Sequence, residues 1–112
     1  LLPRCPRCGG QMTTNLRADD TFVQDPGWYA AAKRYQAFVS EAAQSRTLLL
    51  ELGVGMNTPA IIKYPFWRMT YHNPQAHYAT VSLDAVTLEQ ISDRSTVIRA
   101  DIAQVLRLLV GA

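Results

Sequence analysis

The sequence predicts an α/β fold with a parallel sheet, on three observations. Thr47-Leu48-Leu49-Leu50-Glu51-Leu52 is an apolar run without clear alternation, the pattern of a parallel strand buried on both faces. The run ends in Gly53-Val54-Gly55 and leads to Thr58-Pro59, a good N-cap followed by a good first helical residue. From there apolar and helical patterns alternate as β-α-β-(α)-β-α, an order that parallel strands with right-handed crossovers satisfy.

Taken from the start, Cys5-Pro6-Arg7-Cys8-Gly9-Gly10 reads as half of a zinc ribbon. Two thiolates two residues apart, with Gly behind the second, form a knuckle, and Zn²⁺ wants four such ligands in a tetrahedron. The chain has two cysteines, so the second pair is expected upstream of it. One rival is a redox Cys-x-x-Cys motif, although Gly9-Gly10 leads into loop residues rather than a helix. Another is a secreted disulfide, which the missing signal sequence opposes. Residues 11–24 read as an extended connector. Arg17 within it could bind an anion or stabilise developing charge; its alternative is a surface ion pair with Asp19 or Asp20.

Asp25-Pro26 starts a long amphipathic helix, with Asp at the N-cap and Pro at the first helical position. Trp28, Ala31, Ala32, Tyr35, Phe38, Val39 and Ala42 make its apolar face, expected to be core against the sheet. The helix after Thr58 carries Ile61, Ile62 and Tyr64, and Pro65 should kink or break it. His72 and His77 are placed at loop edges. His77 to Leu83 is the second strand, 87–91 a short helical segment, and Ser95 to Arg99 a third strand. Asp101 caps a final helix with Ile102, Val105, Leu106 and Leu109 on its apolar face.

Composition narrows the function classes. The chain has 112 residues, which suits one small domain or part of a larger one, and its Leu1-Leu2-Pro3 start reads as cut from a longer protein. A net charge of +2 without a basic run gives no footprint for nucleic acid. No stretch reaches the ~18 apolar residues of a membrane span, and no signal pattern appears, so a cytoplasmic location is expected.

Strand, glycine turn and helix start together suit a phosphate group, because unpaired N–H groups and the positive helix end point the same way. The alternative is a tight turn with no ligand, since the third glycine of the dinucleotide fingerprint is absent. Ser82-Leu83-Asp84 closes the second strand, and polar groups at the carboxyl end of a parallel strand sit beside the ligand crevice of an open sheet.

With the cysteine knuckle, the Gly-Val-Gly turn and the Ser-Leu-Asp strand end in this order, nearly the whole chain resembles the C-terminal half of a sirtuin. That family comprises NAD-dependent protein deacylases and ADP-ribosyltransferases. The resemblance implies a Rossmann-like α/β sheet, the second half of an NAD-binding domain, over 25–112, preceded by a zinc-ribbon half and connector over 1–24. Cys5 and Cys8 look like the second cysteine pair of the zinc module. Gly53-Val54-Gly55 stands where most sirtuins have Gly-Thr-Ser against NAD, and Ser82-Leu83 where many have Asn-Leu against the adenosine ribose. Ala100-Asp101-Ile102 matches the segment that lies against adenine. The stretch from Asn15 to Val23, with Leu50 to Pro59, is closest to the macrodomain-associated microbial branch, which resembles ADP-ribosyltransferases acting on a lipoyl-carrier protein. Arg17 fits the position of an Arg near that branch's reaction centre.

The departures from the family pattern matter. Val54 and Gly55 remove two hydroxyls, so contacts there must come from backbone N–H groups or Asn57. Ser82 is shorter than Asn and reaches ribose through water. The implied site is therefore Gly53, Val54, Gly55, Asn57, Ser82, Leu83, Asp84, Asp101 and Ile102 for NAD, Cys5 and Cys8 for zinc, and Arg17 for catalysis. The implied partner is a protein substrate, either an acyl-lysine protein or a lipoyl-carrier protein, with no nucleic acid and no membrane. The family's first glycine motif, its nicotinamide-pocket residues and its catalytic His or Gln are not in this sequence, so the segment alone is expected to be inactive. The rivals are a non-catalytic nucleotide-binding or protein-interaction module that uses the zinc knuckle, and a zinc-ribbon nucleic-acid binder.

Overall fold

Short-range signals set the element ends. Asp25 Oδ1 accepts the Trp28 N–H at 2.7 Å, and helix α1 runs Pro26–Ala42. Asp101 Oδ1 accepts the Gln104 N–H at 3.0 Å, and helix α3 runs Ile102–Val110 to a left-handed Gly111. Both follow the expected capping chemistry. The computed structural model describes residues 2–111, and the chain divides into two compact units, Leu1–Tyr35 and Gln36–Ala112.

In the second unit three strands, β1 (Thr47–Leu52), β2 (Ala76–Ser82) and β3 (Ser95–Arg99), form one parallel sheet in the order β1-β2-β3. Glu51 pairs with Thr80 and Leu49 with Tyr78, while Tyr78 pairs with Ser95. Helix α2 (Lys63–His72) crosses from β1 to β2, and a 3₁₀ turn (Glu89–Arg94) leads into β3. This is the parallel α/β arrangement that the element order predicts. The core is Leu49, Trp67, Ala76, Tyr78 and Ile91, with Phe66, Met69 and Val86 packed against it. Asn73 ties the end of α2 to the end of α1 and the turn before β1 by donating to the Ala42 and Ser45 carbonyls.

Several expectations are corrected. Strand β1 is not buried on both faces: Leu49 and Glu51 point inward, whereas Leu48, Leu50 and Leu52 are 62%, 48% and 42% exposed. The strand obeys a period of two, which a run of leucines hides. The aromatic stripe of α1 is exposed at Trp28, Tyr35 and Phe38 rather than core. Leu106 and Leu109 of α3 are exposed as well. Helix α2 begins at Lys63, not at Thr58, and its N-cap Ile62 gives no side-chain bond. Residues 58–62 form turns instead, with the Tyr64 N–H donating to the Pro59 carbonyl at 2.9 Å. Pro65 therefore falls in the first helical turn, where an N–H has no partner to lose, and it breaks nothing. The 87–91 helical segment is the 3₁₀ turn, two residues later. His77 lies within β2, where its Nε2 meets Thr96 Oγ1 at 2.9 Å.

In the first unit an antiparallel bridge pairs Arg4 with Gln11 around the cysteines. The Cys5 N–H donates to the Gly10 carbonyl and the Gly9 N–H to the Cys5 carbonyl, each at 2.8 Å. Gly9 sits at φ +71, the left-handed region that closes this knuckle.

Candidate functional site

The carboxyl ends of β1 and β2 open onto a cleft of about 550 Å³, lined by Gly53, Val54, Gly55, Asn57, Thr58, Ile61, Ile62 and Asp84. Five of the sequence-expected residues, Gly53, Val54, Gly55, Asn57 and Asp84, thus share one concave surface. Its position follows the general rule for open parallel sheets, in which ligands lie beyond the carboxyl edge.

The two glycines differ. Gly53 has φ +69, donates its N–H to the Val81 carbonyl at 2.8 Å, and leaves little room for a side chain: a Cβ would lie 3.0 Å from Ile102 Cδ1, which would have to give way. It is fixed by backbone conformation and by the packing of Ile102. Gly55 takes an ordinary conformation, and a Cβ there would meet Asp84 Oδ2 at 3.7 Å, a normal contact. Its openness belongs to the cleft and not to the fold.

Asp84 supplies the formal charge of the cleft lining. Ser82 Oγ donates to Asp84 Oδ1 at 2.5 Å, and the Asp84 N–H donates back to Ser82 Oγ at 3.2 Å. The Ser82 hydroxyl first, and Asp84's own backbone N–H next, hold the Asp84 carboxyl below its ordinary range, with a smaller contribution from the Lys63 charge. An ionised carboxylate here accepts hydroxyl protons and repels phosphate. The chemistry suits a ribose diol better than a phosphate at this end of the cleft. Leu83, between them, is exposed. Ile102 packs on Gly53, whereas the Asp101 side chain is occupied as the α3 cap.

Beneath the cleft lies a buried polar cluster that sequence reasoning did not single out. Glu51 and Lys63, 2% and 1% exposed, form an ion pair through Glu51 Oε1. The same oxygen accepts from Tyr78 OH at 2.5 Å and from Thr80 Oγ1 at 2.8 Å. Lys63 Nζ also reaches Tyr78 OH at 3.4 Å. Burial first, and the Glu51 carboxylate next, push the Tyr78 phenol far above its ordinary range. The available signal was Glu51 itself, an acid inside an apolar strand at the parity of inward-facing Leu49.

In the first unit, backbone N–H groups of Cys8 and Arg7 lower the Cys5 thiol, as does a bond from the Cys8 thiol. Among the described residues no group of three or more His, Cys, Asp or Glu is gathered to hold a metal, so Cys5 and Cys8 offer two ligands only. Arg17 does not pair with Asp19 or Asp20. Its guanidinium stacks 4.4 Å from the Phe22 ring centroid, and Asp19 is taken by the Thr21 N–H and hydroxyl.

No family model matches the chain. It is similar to a protein ADP-ribosyltransferase of Staphylococcus aureus, 35% identical over 108 residues, which is 95% of this chain and 34% of that protein. A probable bifunctional ADP-ribose hydrolase/ADP-ribosyltransferase of Fusarium oxysporum f. sp. cubense is 35% identical over 66 residues, 57% of this chain and 11% of that protein. The chain spans about a third of the length of the first relative and about a tenth of the second. Among the described residues no helix is long and apolar enough to cross a membrane.

Proposed function

We propose that the chain forms the adenosine side of an NAD site in a sirtuin-type protein ADP-ribosyltransferase. The observation that carries this reading is the cleft at the carboxyl edge of the sheet, with Gly53 forced by conformation, Gly55 open and Asp84 held ionised. The similarity to a protein named ADP-ribosyltransferase along nearly the whole chain supports it. NAD, when bound, would supply the ADP-ribosyl group, and the chemistry is the cofactor's.

The roles of this chain's residues follow from their chemistry. Gly53 gives its N–H to the Val81 carbonyl, so backbone N–H groups from Val54 to Asn57 and the Asn57 amide would make the polar contacts. The Asp84 carboxylate would accept from a ribose hydroxyl, oriented by Ser82. Ile102 would bound the adenine through apolar contact, held against Gly53. Asp101 would act through its cap on α3, and Leu83 as an exposed apolar rim. Arg17, always protonated, would stabilise charge near the acceptor. Cys5 and Cys8 would give two of the four thiolates of a structural zinc. The acceptor would be a lipoyl-carrier or acyl-lysine protein, in a cytoplasmic setting, with 1–24 as the zinc-ribbon half and connector and 25–112 as the NAD-binding segment.

Titration of the full-length protein with NAD tests the assignment. Gly55→Trp fills the cleft at a position the fold does not restrict, so affinity should fall by about two orders of magnitude or more, as expected when a ligand loses its concave contact surface. Unchanged affinity would sink the assignment.

A further inference from the structure

Burying an ion pair is a poor way to stabilise a core, because well-packed apolar residues in its place often do as well or better. Here the arrangement is poorer still. Glu51 Oε1 serves Lys63, Tyr78 and Thr80 together, while Glu51 Oε2 is buried without a hydrogen-bond partner, as is Trp67 Nε1. A network kept despite unsatisfied polar atoms calls for a role other than stability.

The chain positions of its members supply that role. Glu51 lies two residues before Gly53, and Lys63 is the residue after Ile62. Gly53 and Ile62 are the first and last lining residues of the loop that walls the cleft. The ion pair therefore joins the two ends of this loop. Helix α2 has no side-chain cap to fix its start, so Lys63 anchors that start directly to β1. Thr80 brings β2 to the same carboxylate oxygen, four residues before Asp84, and Tyr78 of the same strand donates to it as well. One oxygen atom thus ties together the strand end, the helix start and the strand that carries the cleft's acid.

We infer that Glu51 and Lys63 are positioning residues for the adenosine subsite, an ionic clamp that holds the Gly53–Ile62 loop in its ligand-binding shape while touching no ligand. This rests on the NAD reading above. A loop that samples other shapes binds in proportion to the fraction of time it spends in the competent one. The clamp raises that fraction.

The test is Glu51→Gln/Lys63→Met in the full-length protein. Gln keeps an acceptor oxygen for Tyr78 and Thr80, and Met keeps the length of the lysine stem, so only the ionic tie and the long Lys63–Tyr78 contact are removed. Calorimetric Kd values for NAD and for ADP-ribose should rise about tenfold, as when the competent loop shape falls to about a tenth of its former population. The KM for NAD should rise in step with kcat unchanged. Ile91→Val, a core change outside the loop, should lower Tm and leave both Kd values as they were. Should the double variant fail to fold, Glu51→Asp keeps the charge, shortens the tether and should weaken binding in a folded protein. Native affinity in whichever of these two clamp variants folds overturns the clamp, as does an equal loss of affinity in Ile91→Val. A native protein that binds neither ligand overturns the NAD reading, and the clamp with it.

Discussion

Removing Lys63 alone should be among the most damaging single changes in this chain. Lys63→Met leaves the Glu51 carboxylate 2% exposed, with two hydroxyl donors and no cation. Opposite charges in contact at an effective dielectric near 20 are worth about 4 kcal/mol, and stripping one partner from a buried pair costs about 3–5 kcal/mol. The hydroxyls of Tyr78 and Thr80 remain and the methionine fills the stem volume, so the expected loss is about 3–4 kcal/mol within that range. A domain with roughly 5–15 kcal/mol in hand would then be marginal. Glu51→Gln/Lys63→Met should recover to within about 1 kcal/mol of native, because no charge is left unpaired. Native-state hydrogen exchange at the amides of β1 and β2 reads this unit directly within a longer protein. A single variant that loses less than about 1 kcal/mol, or a double variant as weak as the single, would refute the reasoning.

Four further outcomes follow from the same geometry. Gly53→Ala should cost about 1–3 kcal/mol, from its left-handed φ and the 3.0 Å approach of Ile102, whereas Gly55→Ala should leave stability unchanged; thermal melts separate the two. Asp101→Ala removes the α3 cap and should cost about 1 kcal/mol, seen as faster exchange at Gln104. The Tyr78 phenol is held protonated in the fold, so the stability it contributes is complete below the ordinary tyrosine pKa of about 10 and is lost as pH rises beyond it; Tyr78→Phe should flatten that alkaline loss. Asp84 runs the other way: its folded carboxyl is more acidic than the ordinary 3.8, so its contribution is present above that value and lost as pH falls. Ser82→Ala should move the Asp84 midpoint upward in a carboxyl-carbon NMR titration.

The parts of this fold that were legible in the sequence are those decided within a few residues. Asp25-Pro26 and Asp101 set helix starts because capping is local chemistry, and Gly53 marks a turn because no other residue tolerates its conformation well. The exposed leucines of β1 and the exposed aromatics of α1 were not legible. Residue type cannot say which apolar face another element covers, and a leucine-rich strand looks buried on both sides. The start of α2 was missed for a related reason. Thr58-Pro59 is a sound capping signal, but Lys63 is held by a carboxylate twelve positions earlier, and that tertiary tie outweighs a local cap worth about 1 kcal/mol.

The buried cluster was nonetheless within reach of a stricter reading. Glu51 shares its parity with Leu49, so a strand that buries Leu49 must bury the acid beside it. A buried carboxylate needs a cation, and the first basic residue after Glu51 is Lys63. Lys63, Trp67 and Thr70 recur at the spacing of one helix face, and all three are buried in α2. Demanding a partner for one misplaced charge would thus have oriented α2 on the sheet. It would also have located the loop between Glu51 and Lys63 as the wall of the cleft, before any ligand was considered.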